Sequence, residues 1–140
     1  MADITRTAAK VALTKPLDSM VTTVIAAEAF TAGQPGYIHS DGKAYVSDAN
    51  DGTDNKVDGI AAKPASAGEG VDLVHYGPLA GYTLTSQAYK AVLYVSNTAG
   101  ELADAAGGTS LPVGVVWPTA HDGPSGTIQK VLFVDIPKSS

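Results

Sequence analysis

The chain has 140 residues, no cysteine, and 9 basic against 14 acidic side chains, which gives a formal net charge of −5 at pH 7. This length fits one domain, and the missing cysteine excludes disulfide scaffolds, cysteine zinc sites and thiol catalysis. The acidic balance argues against binding to nucleic acid or to anionic membranes through bulk electrostatics. Gly (15) and Pro (8) are frequent while charged residues make up only 16%, which we interpret as an all-β protein with many turns.

The first twenty residues differ in composition and residue pattern from the remainder of the chain. They carry scattered charges and threonines, and Pro16 interrupts any helix there. We predict an extended N-terminal arm over residues 1–20, with a disordered terminus as the alternative, followed by a single β domain over residues 21–140. No apolar core of a secretory signal is visible, and no stretch approaches the roughly 18 apolar residues of a membrane helix. We therefore expect a protein made in a cytoplasm.

Short apolar runs between turn signals follow the arm. The predicted strands are, in chain order, residues 21–27, 37–39, 44–46, 57–62, 71–76, 79–85, 91–96, 111–117 and 127–136. Asp41-Gly42 predicts a hairpin, because its turn needs positive φ, and Gly77-Pro78 predicts a break. Short strands about ten residues apart predict a small single-domain β-barrel or β-sandwich-like fold.

The strand pattern also repeats weakly. Two series share one order, which is a tyrosine strand, a glycine turn, a strand with a glycine at its start and an apolar strand. The first series is residues 37–40, 42, 59–61 and 71–74, and the second is residues 94–97, 100, 114–116 and 131–134. Two β units of one pseudo-symmetric domain would produce this order, and chance similarity among Gly- and Val-rich strands would produce it equally well.

Histidines and acidic residues are the candidates for chemistry. The histidines are far apart in sequence, so that a metal site would need the fold to gather them; they are His39, His75 and His121. The acidic segment Asp48–Asp58 offers oxygen ligands, but its glycines miss the calcium-loop positions. We interpret it as a solvated turn, with weak calcium binding left open. We predict no catalytic residue, no cofactor, no metal and no enzyme activity.

One pattern extends over the middle of the chain. It begins with Gly-Lys-Ala-Tyr-Val-Ser-Asp-Ala-Asn-Asp-Gly-Thr and consists of the segments 42–53, 57–61, 67–70, 71–74, 93–102 and 112–116. Through these segments, residues 31–116 resemble the small capsid decoration proteins, or cement proteins, of tailed bacteriophages and prophages. The N-terminal arm and residues 117–126 lie outside this resemblance.

The resemblance implies a structural virion protein without a catalytic site or cofactor. Such a protein sits on the outer capsid surface, commonly as a homotrimer, and clamps neighbouring copies of the major capsid protein. It is made in the cytoplasm of the host bacterium and needs no nucleic-acid or membrane partner. The alternative is another virion structural or adhesion module, such as a head fibre, a tail component or a carbohydrate-binding module.

The arm supplies the predicted capsid-contact residues, because an extended segment can add a strand to a partner's sheet edge. They are Ile4, Arg6, Lys10, Val11 and Leu13. We accordingly expect deletion of residues 1–13 to weaken capsid attachment and to leave the β domain folded. The six tyrosines outnumber all other aromatic residues and suit half-buried positions with a wet hydroxyl, at interfaces or at strand edges alike.

Overall fold

The computed structural model describes residues 2–14, 19–120 and 128–137. Within these ranges the chain forms strands and one short 3-10 turn at Ala8–Lys10, with no α-helix. The strands are β1 (Asp3–Ile4), β2 (Ala12–Leu13), β3 (Met20–Ile25), β4 (Pro35–Ile38), β5 (Ala44–Val46), β6 (Gly59–Ala61), β7 (Gly70–Ala80), β8 (Val92–Val95), β9 (Leu102–Ala103), β10 (Pro112–Ala120) and β11 (Ile128–Asp135).

All of these strands join one large antiparallel sheet in a small single domain. The order is β1-β9-β8-β10-β11-β7-β6-β4-β5, and β2 and β3 pair with β7 outside this path. Tyr76 of β7 pairs with Met20 on one side and with Asp135 on the other, so β3 and β11 occupy opposite edges of β7. The predicted all-β class is confirmed, and the sheet stays open rather than closing into a barrel.

The weak repeat in the sequence corresponds to two units with the same strand pairing. In the first unit β4 pairs with β5 and β6, and β6 pairs with β7. In the second unit β8 pairs with β9 and β10, and β10 pairs with β11. The last strands of the two units, β7 and β11, then pair with each other. Eight of the eleven strands therefore form two similar four-stranded units joined at one seam.

Gly59 and Gly114 occupy equivalent places in the two units. A Cβ atom at Gly59 would lie 3.0 Å from the carbonyl oxygen of Val74, and one at Gly114 would overlap the carbonyl oxygen of Phe133. Each glycine thus lets the third strand of its unit approach the backbone of the fourth, which a side chain would prevent. Close backbone contact is the physical reason for a glycine at both positions.

The predicted break at Gly77-Pro78 is wrong, because β7 continues through both residues. Gly77 adopts a φ of 132°, which favours glycine. The carbonyl oxygen of Pro78 accepts the N–H of Thr14 at 3.1 Å. In an antiparallel strand, the N–H and the carbonyl of one residue point toward the same neighbouring strand. The N–H that Pro78 lacks would therefore have pointed toward β2 and Thr14. Pairing of Pro78 with Phe133 on the other side is therefore undisturbed.

The core lies on both faces of the sheet where β6 pairs with β7. Ile60 and Val74 belong to a larger buried cluster, and their neighbours Ala61 and Leu73 belong to a smaller one. Adjacent residues of a strand point to opposite faces, so the two clusters lie on opposite sides of these strands. The larger cluster continues into the second unit through Leu93, Val116, Leu132 and Val134.

Residues 2–14 are extended, and they lie against the β domain as part of its sheet. β1 pairs with β9, and β2 pairs with β7. Ile4 and Val11 are only 4% and 8% exposed and belong to the larger core cluster. The predicted boundary at residue 20 therefore crosses a shared core. No helix within the described ranges is long and apolar enough to span a membrane.

Candidate functional site

The five predicted contact residues of the arm differ in their accessibility. Ile4 and Val11 are buried in the core, and Leu13 is half-buried on β2. Arg6 is also half-buried and bonded within the molecule, whereas Lys10 is exposed at the 3-10 turn. Of the five, Lys10 alone offers its side chain to a partner without a rearrangement of the fold.

Arg6 ties the N-terminal segment to two distant parts of the chain. Its Nη1 donates to Glu101 Oε2 at 2.6 Å, its Nε to the carbonyl oxygen of Ala32 at 3.0 Å, and its Nη2 to Thr31 Oγ1 at 2.9 Å. Tyr82 lies beside it and donates its hydroxyl to a carbonyl oxygen of the same loop. Burial raises the pKa of Tyr82 well above its ordinary value. Arg6 is therefore an internal clamp.

The described histidines occupy unrelated environments. His39 is exposed at the β4–β5 hairpin, where its ring lies 5.5 Å from that of Tyr45. His75 is buried, with Nδ1 2.6 Å from the carbonyl oxygen of Asp58 and Nε2 2.6 Å from Thr22 Oγ1. Because a carbonyl oxygen only accepts, Nδ1 carries the proton, and a neutral ring then accepts the Thr22 hydroxyl at Nε2. His121 lies outside the described residues.

Two carboxylates of the acidic segment, those of Asp48 and Asp51, accept N–H groups of the segment's own backbone. Asp48 Oδ1 accepts the N–H of Asn50 at 2.9 Å, and Asp51 Oδ1 accepts those of Thr53 at 2.7 Å and Asp54 at 2.9 Å. The N–H groups of Asp54 and Thr53 hold the pKa of Asp51 below its ordinary value. In the described part of the chain, no group of three His, Cys, Asp or Glu side chains is arranged to hold a metal ion.

Two tyrosines stack on the β4–β5 hairpin. The rings of Tyr37 and Tyr45 lie 5.7 Å apart, and Lys56 Nζ lies 5.4 Å from the centre of the Tyr37 ring. Tyr37 donates its hydroxyl to Asp54 at 2.5 Å, and Tyr45 donates to Asp41 at 2.7 Å. Burial and the bond to Asp54 raise the pKa of Tyr37. These hydroxyls are engaged within the hairpin and its neighbouring loop.

A different surface, opposite the larger core cluster, carries large apolar side chains in contact with solvent. Directly paired residues of antiparallel strands point to the same face. Met20 pairs with Tyr76, and Val115 pairs with both Phe133 and Val92. These pairs extend across five adjacent strands, β3, β7, β11, β10 and β8. We call this surface the outer face; its members are Met20, Tyr76, Val92, Val115, Trp117 and Phe133.

The outer face is apolar and open to solvent. Met20 is 57% exposed, Tyr76 and Trp117 are each 41% exposed, and Val92 is 39% exposed. In β8, β10 and β11, the intervening residues point into the larger core cluster. The solvated face of an antiparallel sheet is commonly polar, so large apolar groups on this side indicate a surface that another molecule covers.

Three aromatic rings form a cleft in the outer face. The rings of Tyr76 and Phe133 lie 5.0 Å apart and nearly perpendicular at 88°, and those of Trp117 and Phe133 lie 6.0 Å apart at 59°. Together with Gly114, Val115 and Asp135 they line a cavity of about 290 Å³. We call this cavity the aromatic cleft. Asp135 supplies its one charged side chain among the described residues.

The sequence contained a signal for the outer face that strand prediction alone did not use. Residues 113–117 read Val-Gly-Val-Val-Trp and residues 131–134 read Val-Leu-Phe-Val. A strand with one solvated face alternates apolar and polar residues, whereas these runs are apolar at consecutive positions. Consecutive apolar residues in β10 and β11 indicate that both of their faces contact apolar groups.

No family model, no curated protein and no solved structure matches the chain.

Proposed function

We propose that this chain is a structural virion protein that decorates and stabilises the outer surface of a phage capsid by binding across neighbouring copies of the major capsid protein. The outer face carries this proposal, because large exposed apolar patches are characteristic of protein–protein contact sites. The resemblance of residues 31–116 to cement proteins supports the choice of partner. The proposed homotrimer and the proposed virion location rest on that resemblance.

The outer face suits the centre of an interface. Aromatic residues and methionine are enriched there, and Trp and Tyr frequently contribute most of the binding energy. Covering Met20, Tyr76 and Trp117 would remove apolar surface from water, which stabilises a contact by about 25 cal/mol per Å². Several copies held together on a shell would bind by avidity, so each single contact can be modest.

This proposal places the contact on the outer face instead of the N-terminal arm. Ile4 and Val11 already belong to the chain's own core, and releasing them would cost the burial of both side chains. Met20, Tyr76 and Trp117 are accessible in the folded domain and need no such release. The proposal assigns no catalytic step to the chain.

Particle composition tests the proposed function. Purified particles of the source phage, or of an induced prophage, are analysed for this chain against the major capsid protein. We expect a ratio approaching one chain per capsid subunit. A few copies per particle would instead indicate a vertex, fibre or tail component, and absence from particles would overturn the proposal.

A binding assay on undecorated heads tests the surface. We expect Trp117→Ala to lower occupancy strongly, because it removes a large exposed ring of the outer face. Tyr89→Ala is the matched control, since Tyr89 is 45% exposed and lies outside the outer face. Equal occupancy of the two variants would contradict the assignment of the contact to this surface.

A further inference from the structure

The aromatic cleft contains one carboxylate among the described residues, that of Asp135. Asp135 is the last residue of β11, is exposed, and pairs through its backbone with Tyr76. Within residues 2–14, 19–120 and 128–137, no hydrogen bond or ion pair engages its carboxylate. Asp48 and Asp51, by contrast, accept backbone N–H groups. Among the described residues, Asp135 therefore presents an unpaired carboxylate beside three aromatic rings.

We propose that the aromatic cleft binds the guanidinium group of an arginine side chain from the partner protein. Naming that partner as the capsid subunit rests on the proposed function, whereas the chemistry of the cleft does not. Aromatic faces attract cations, and Tyr76, Phe133 and Trp117 supply three such rings around one cavity. Asp135 supplies the complementary charge at its edge.

An apolar occupant fits this cleft less well. It would cover the ring faces but would also remove water from the Asp135 carboxylate without replacing the lost hydrogen bonds, which is unfavourable for a charged group. An arginine side chain can contact both the aromatic rings and the Asp135 carboxylate. Its planar guanidinium stacks on an aromatic ring and donates two parallel N–H groups to a carboxylate.

The size and shape of the cleft favour a side chain over a larger ligand. Its volume of about 290 Å³ lies at the lower end of the range for small-molecule pockets, about 300–1,000 Å³. Lysine would place a compact, strongly hydrated ammonium group against the rings and would lack the planar fork. We therefore expect the cleft to prefer arginine to lysine.

Trp117 makes the cleft directly observable, because it is the single tryptophan of the chain. The full-length protein is titrated with N-acetyl-arginine amide while the tryptophan fluorescence is recorded, with N-acetyl-citrulline amide as the neutral analogue of matched shape and N-acetyl-lysine amide as the second cation. We expect a saturable change with the arginine compound and at least a tenfold weaker response to the citrulline compound. Equal responses to all three would overturn the proposal.

Two variants test whether the Asp135 carboxylate is the charge that binds arginine. Asp135→Asn keeps the shape of the side chain, and we expect about tenfold weaker arginine binding, which is the effect of losing one charge-assisted contact. Asp104→Asn is the control, since Asp104 is exposed and lies outside the cleft. Circular dichroism spectra and melting temperatures of both variants report whether the fold is intact. Unchanged binding by a folded Asp135→Asn protein would contradict the proposal.

The test separates this proposal from the proposed function. If the chain is absent from particles but the arginine titration saturates, the capsid role fails and the site chemistry stands. If the chain decorates particles but the titration discriminates neither arginine from citrulline nor wild type from Asp135→Asn, the arginine site fails and the capsid role stands. On particles, an intact arginine contact predicts occupancy that falls as salt concentration rises.

Discussion

Arg6 shows how one side chain can fix the course of the N-terminal segment. We expect Arg6→Ala to lower the free energy of unfolding by about 2–3 kcal/mol, because it leaves Glu101 and the carbonyl oxygen of Ala32 without their donor. Urea denaturation measures the change. Lys10→Ala, at an exposed position of the same segment, should stay within about 0.5 kcal/mol of the parent protein. Similar effects of the two substitutions would contradict the clamp.

The raised pKa values of Tyr37 and Tyr82 predict a loss of stability at alkaline pH. Burial raises the pKa of both above the ordinary value of 10.0, so the unfolded chain releases these protons before the folded chain does. Their contribution is therefore complete below pH 10 and is lost as pH rises beyond it. We expect the melting temperature to fall above pH 10, and less so in Tyr82→Phe.

The same titration can be followed by tyrosinate absorbance. The pKa values of Tyr37, Tyr45 and Tyr82 are raised, so these three tyrosines should ionise above the ordinary pKa of 10.0 while the circular dichroism spectrum stays folded. Ionisation of these three at the ordinary pKa in the folded protein would show that their hydroxyls are not protected.

At Gly114, we expect even a methyl side chain to lower the stability of the fold. A Cβ atom there would overlap the carbonyl oxygen of Phe133, and backbone cannot move aside as a flexible side chain can. We expect Gly114→Ala to cost about 3 kcal/mol of stability, in the range of overpacked cores. Gly52→Ala is the control, because a Cβ at Gly52 meets no atom within 4 Å. Chemical denaturation of both variants should separate them clearly.

At the scale of elements, the N-terminal segment is part of the folded sheet. The sequence pattern instead predicts a β domain that folds without residues 1–13. β1 and β2 pair with β9 and β7, and Ile4 and Val11 are buried in the larger core cluster. We now expect deletion of residues 1–13 to lower the melting temperature strongly, since full burial of each such side chain contributes about 1.5–3 kcal/mol. An unchanged melting temperature of the shortened chain would show that the segment is dispensable for folding.

The elements with local signals could be predicted from the sequence, and those set by tertiary contacts could not. The Asp41-Gly42 hairpin was predicted because its turn demands a positive φ, and Gly42 has a φ of 79°. The two-residue strands β1, β2 and β9 are too short for any periodic pattern. The break at Gly77-Pro78 was wrong because the neighbours of β7, which no local rule describes, decide whether proline interrupts a strand.

The candidate site was predicted only in part for a similar reason. The excess of tyrosine suggested half-buried or interface positions, and Tyr76 lies on the outer face. The arm residues were proposed from the general behaviour of extended termini, but burial of Ile4 and Val11 depends on the fold around them. Asp135 has no sequence motif; it becomes notable only beside Tyr76 and Phe133 in three dimensions.

At the scale of the whole molecule, the two four-stranded units meet through the pairing of β7 with β11. The strands of this seam are about 55 residues apart in the chain, and closing such long loops is slow because chain entropy opposes it. The seam also brings Tyr76 of the first unit against Phe133 of the second. The aromatic cleft therefore combines side chains from both units.

The outer face combines positions 20, 76, 92, 115, 117 and 133, which come from distant parts of the chain. A nascent chain that ends before Phe133 lacks part of this surface, so a partner that recognises the whole surface would bind only the folded molecule. Binding to the native state alone would also draw the folding equilibrium toward it, by RT ln(1 + [L]/Kd). Binding through this surface would then select molecules that have completed folding.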